Sequence, residues 1–93
     1  MSVEITHVRY SGYDKSHEAI VRYKWRDQSS GAVGDADKPT MVDFIDNNDG
    51  EAYVGSGTSR AEVGTVHPST GKPYLRTYAD GKWTNNLLSL PTF

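Results

Sequence analysis

The 93-residue chain contains no cysteine. This excludes a disulfide framework, thiolate zinc sites and cysteine nucleophiles together. It fits a reducing compartment, and a cytoplasmic protein is expected. Long apolar runs are missing too: none approaches the roughly 20 residues of a membrane span. The start, Met1-Ser2-Val3-Glu4-Ile5, has neither the basic nor the apolar region of a signal peptide, so no membrane partner is expected. No charge sign dominates. Ten basic and twelve acidic residues give a net charge of −2 and no global pull toward a polyanion. Hydrophobic residues make up only 35%, against roughly 45–50% in ordinary domains when glycine is counted. Six Tyr, two Trp and two Phe compensate with large area per residue.

Chemical motifs are also lacking. His7, His17 and His67 have no helical i,i+4 spacing and no shared motif, so no metal site is expected. Counted from Asp46 as an EF-hand loop, the glycine falls at position five and position twelve is Gly57, which the calcium geometry rejects. Gly55-Ser56-Gly57-Thr58-Ser59-Arg60 starts like a dinucleotide fingerprint but ends in Arg. No nucleophile elbow or paired-carboxylate signature appears, so catalytic residues and cofactors are expected to be absent.

What is present alternates. Val3 to Tyr10 reads as a strand whose phase changes, either because both faces are covered or because of a bulge near His7. In Ala19 to Asp27, the residues Ala19, Val21, Tyr23 and Trp25 alternate with Ile20, Arg22, Lys24 and Arg26, the pattern of a half-buried strand. An antiparallel hairpin with the first strand is expected. Gln28 to Ala36 has loop composition. A helix follows, capped by Asp37, tolerant of Pro39 in its first turn, and striped by Met41, Val42, Phe44 and Ile45. Gly50 suits a left-handed exit. Strands follow at Glu51 to Ser56, Ala61 to His67 and Tyr74 to Ala79. An Asp80-Gly81 turn leads to a tail with Leu87, Leu88, Leu90 and Phe93, expected to fold back and close the core. The expected fold is therefore α+β. One small domain over residues 1–93 has a mainly antiparallel sheet of about five short strands with one helix packed on it. Such a sheet can be open or barrel-like.

Several pieces line up with one family. Ile5-Thr6-His7-Val8-Arg9 opens the chain, and Ala52-Tyr53-Val54-Gly55 follows the helix. Gly71-Lys72-Pro73-Tyr74-Leu75-Arg76-Thr77, Ala79-Asp80-Gly81 and Asn86-Leu87-Leu88-Ser89-Leu90-Pro91 close it. This arrangement resembles the small bacterial family of unknown function DUF3892 over nearly the whole chain. Asn85 stands where that pattern suggests an Asp. The resemblance implies no activity, cofactor or site.

Two candidate sites remain. Arg22, Lys24 and Arg26 share one face of a regular strand, spaced by about 6.6–7 Å, which a nucleic-acid backbone could follow. Tyr23 and Trp25 would then point the other way, and cross-strand acids such as Glu4 or Glu62 would explain the cations as an ordinary solvated face. Gly55, Ser56, Gly57 and Arg60 form a donor-rich loop that could hold an anion. Arg76 is expected to pair a carboxylate and Asp80 to bond backbone N–H groups. The preferred function is a non-enzymatic interaction domain whose partner is a protein. Tyr10, Tyr13 and Trp83 are its candidate surface anchors, and nucleic-acid binding is the alternative.

Overall fold

A computed structural model describes residues 2–55, 60–79, 82–84 and 86–93. Its elements are β1 (Ser2–Tyr10), β2 (Ile20–Asp27), β3 (Val33–Asp37), α1 (Lys38–Asn47), β4 (Glu51–Val54), β5 (Ala61–Val66), β6 (Tyr74–Ala79), β7 (Lys82–Thr84) and a closing 3-10 helix (Asn86–Ser89). The strands form one open sheet in the order β3-β2-β1-β4-β5-β6-β7.

This corrects the expected α+β fold with about five antiparallel strands. Among the described residues the protein is mostly β, with seven strands in a mixed sheet. Two strands escaped the sequence pattern. β3 has the composition of a loop because its inward positions are Gly34 and Ala36, too small to mark an apolar phase. β7 is only three residues long. The parallel pair, β1 with β4, arises because α1 carries the chain from β3 past β2 and β1. No local pattern encodes that crossover.

Two local expectations are settled by register. β1 carries a bulge: Ile5 faces Trp25 while His7 faces Lys24, leaving Thr6 as the extra residue. Its hydroxyl donates to the Lys24 carbonyl at 3.3 Å. The bulge brings Val3, Ile5 and Val8 all inward. A second shift, between Arg9 and Tyr10, leaves Val21 unpaired on β2. Ile20 is therefore fully buried and Val21 exposed, the reverse of the simple alternation. The helix starts as expected, since extended Asp37 accepts from the Thr40 N–H at 3.0 Å. Its exit differs. Asp49, at φ 53°, takes the left-handed turn. Gly50 instead lies against the Phe44 ring, where a Cβ would collide.

α1 packs on one sheet face, touching β2, β3, β4, β5 and β6. The core between them contains Ile5, Val8, Ile20, Tyr23, Met41, Leu75 and Leu87. Burial pushes the Tyr23 phenol far above its ordinary range, with the Leu75 backbone opposing part of the rise. The tail joins this core through Leu87, with Leu88 and Leu90 packed at its margin. It then runs beside β1, where Val8 N–H donates to the Pro91 carbonyl at 3.0 Å. One long edge of β1 is thus shared, with β4 pairing Ser2 to Glu4 and the tail meeting Val8.

Candidate functional site

The sheet face opposite α1 carries the candidate chemistry. Residues in direct register share a face. One row crosses all seven strands there: Val33, Arg26, Glu4, Tyr53, Glu62, Tyr78 and Trp83. The centre of the row is held by charge and stacking. The Arg60 guanidinium lies 3.9 Å from the Tyr53 ring centroid and donates to Glu62 at 3.0 Å. Gln28 donates to Glu4 at 2.6 Å. The β7 end is apolar and open. Tyr78 and Trp83 form an edge-to-face pair with centroids 5.5 Å apart, at 40% and 49% exposure. Gly64 has no side chain to lift these two rings off the strands.

The predicted basic residues Arg22, Lys24 and Arg26 do share this face, and Tyr23 and Trp25 lie on the other. Tyr23 is fully buried in the core, and Trp25 lines a groove beside α1. Cross-strand acids attend the cations. Arg22 bonds Asp35 at 2.5 Å, and Arg26 stands opposite Glu4. Glu62, the other acid expected there, serves Arg60 instead. Two residues were missed. Arg9 stands opposite Arg22, and its Nε donates to the Phe93 carbonyl at 2.8 Å. The Phe93 ring lies 4.4 Å from the Arg9 guanidinium and 5.9 Å from Lys24 Nζ. Arg9 could have been found by extending the bulged phase of β1. Phe93 could not, because the tail's path is a tertiary property.

Of the anion candidates, Gly55 adopts φ 82° and Arg60 is engaged as described. Ser56 and Gly57 lie outside the described residues, as do Asp80, Gly81 and Asn85. The histidines do not converge. His7 bonds Thr6, and His67 meets Asp46 at 2.8 Å. His17, 8% exposed, stacks on Tyr74. Burial, with the nearby Arg76 charge, lowers the His17 pKa, and Glu18 opposes the shift. Among the described residues no three His, Cys, Asp or Glu side chains could together hold a metal. Nor does any described helix have the length and apolarity to cross a membrane. Of the three proposed surface anchors, Tyr13 and Trp83 are exposed, but Tyr10 is half-buried. Its hydroxyl is enclosed with no hydrogen-bond partner among the described residues, and burial raises its pKa.

The closing segments meet at one side chain, Thr77, which is fully buried. Its hydroxyl donates to the Thr84 carbonyl at 3.3 Å, meets the Thr84 hydroxyl at 2.7 Å, where either oxygen can be the donor, and accepts from Asn86 N–H at 3.1 Å. One O–H and two lone pairs are thereby saturated. Arg76 Nε also donates to the Thr84 carbonyl. The model of a family of proteins of unknown function, DUF3892, matches residues 4–91. The chain belongs to the DUF3892 family. No curated protein and no solved structure matches it. The Arg76-Thr77 and Asn86 to Pro91 pieces on which the resemblance rests lie within the matched residues, and they have a structural reading in this chain. They fasten the 3-10 helix to β6 and deliver Leu87 to the core.

Proposed function

We propose that this DUF3892 protein is a non-enzymatic, cytoplasmic bacterial interaction domain that binds another protein through its open sheet face. One observation carries the reading: the exposed Tyr78–Trp83 pair at the β7 edge. Tyr, Trp and Arg are the residue types that dominate interface energetics, and all three occur on this sheet face. A photo-crosslinking residue at Lys82, used in native cells, tests it. A discrete protein adduct is expected, lost when Trp83→Ala is added. An adduct indifferent to Trp83→Ala would sink the proposal.

A second reading has one supporting observation, the Phe93 ring held between Arg9 and Lys24 on the basic face. An aromatic among cations is the arrangement that stacks single-stranded bases. Titrating amides with a mixed oligonucleotide at low and moderate salt tests it. Salt-sensitive shifts at Arg9, Arg22, Lys24 and Arg26, lost in the triple alanine variant of the last three, would favour nucleic acid. A spectrum that does not move would leave the protein-partner reading alone.

A further inference from the structure

The opposite edge of the sheet carries a second surface. β3 is an edge strand. Ala32 accepts from the Asp27 N–H. By antiparallel alternation, Gly34 and Ala36 turn their backbone groups toward β2, while Val33, Asp35 and Asp37 turn theirs to solvent. The inward side chains of β3 are the two smallest available, so the space between this edge and α1 is not filled. It forms a mostly apolar slot of about 230 Å³ walled by Val3, Trp25, Ala36, Met41 and Phe44, with Asp35 and Thr40 also lining it. A Cβ at Gly34 would come within 2.6 Å of the Trp25 ring, so the missing side chain lets the indole reach the rim.

We infer that the β3 edge accepts an extended segment of another protein as an eighth strand, with apolar side chains entering the slot and Lys or Arg at alternate positions. Strand addition joins unpaired backbone groups to pockets for every second side chain. Charge selects the occupant. β3 itself carries two acids and no base, and Asp35 and Asp37, on the outward phase, would be the direct cross-strand neighbours of an added strand, with Lys24 and Arg22 of β2 one strand further away. A second copy of this chain pairing edge to edge would bring these acids against each other, which is destabilising. A basic strand would be attracted. The Arg22–Asp35 pair is solvent-exposed on both sides and is readily exchanged. This surface lies at the far edge from Tyr78 and Trp83, and its test is independent of theirs.

The probes are synthetic seven-residue peptides alternating Lys with Val, Leu, Ile or Phe, and the same series with Glu for Lys. Titrated into the 15N-labelled protein, the Lys series should shift the Val33, Asp35 and Asp37 amides and the Trp25 indole. The Glu series should bind at least tenfold more weakly. Asp35→Lys should erase or reverse this preference, and Ala36→Leu, by filling the slot, should weaken the best Lys peptide. Should Ala36→Leu disturb the fold, Asp35→Lys alone decides. Equal binding of the two series, shifts that bypass β3, or no binding by any peptide would each overturn the inference.

Discussion

Replacing Thr77 with Val tests the closing lock most directly. Valine keeps the shape and burial but removes the hydroxyl that meets Thr84 twice and Asn86 once. The Thr84 hydroxyl can rotate to another acceptor. The Asn86 N–H cannot move without unwinding the 3-10 helix. An unsatisfied buried donor costs about 1–3 kcal/mol. Because this group is only partly buried, about 2 kcal/mol is expected. For a domain of this size that lowers the melting temperature by roughly 8–16 °C. Chemical denaturation followed by tryptophan fluorescence gives the free energy, and hydrogen exchange at Asn86 and Leu87 should show the loss first locally. Thr77→Ser is the informative control. It keeps the three bonds and loses one methyl, costing about 1 kcal/mol. If Thr77→Val proves milder than Thr77→Ser, the methyl and not the hydroxyl holds the site, and the lock is refuted.

Other expectations follow from the same contacts. His17 has a lowered folded pKa, so the unfolded chain takes up its proton first. Stability should be complete above about pH 6.5 and fall as pH drops below it; His17→Phe should flatten that decline in denaturation curves from pH 8 to 5. Asp37→Ala should destabilise the protein and Asp37→Asn should restore most of the loss, read by thermal melts, because both Asp and Asn can accept from Thr40. Leu87→Ala should cost about 2–5 kcal/mol by denaturant titration, since its side chain is fully enclosed. Gly34→Val should displace the Trp25 ring and shift its emission.

Much of the chain was legible residue by residue, and its sheet was not. The hairpin, the Thr6 bulge and the Asp37 cap follow from short-range chemistry, namely phase changes and a capping side chain. β3 was hidden because a strand that leaves a slot shows no apolar alternation. The β1–β4 pairing was hidden because a crossover sets it. For the site, the shared face of Arg22, Lys24 and Arg26 could be read from period two, and Glu4 as a neighbour from hairpin pairing. The row from Val33 to Trp83 could not, since it requires six registers to be known together. The exposure of Trp83 agrees with the expectation made from residue type alone, while Tyr10 shows the limit of that argument: it is half-buried and its hydroxyl is enclosed.

The divided edge of β1 also dictates an order of events in time. A chain emerging from the ribosome makes β1 first, but its partners arrive late: β4 after the crossover helix, and the Pro91 carbonyl after almost everything else. Until then a central strand waits with unpaired backbone groups, held only by its hairpin with β2. Contacts this distant along the chain slow folding, and an edge left open during that delay invites intermolecular pairing. The Thr6 bulge sits in the middle of β1, where such a stray strand would have to match its register. The kink that brings Val8 inward is also an irregularity of the kind that hinders stray strand pairing.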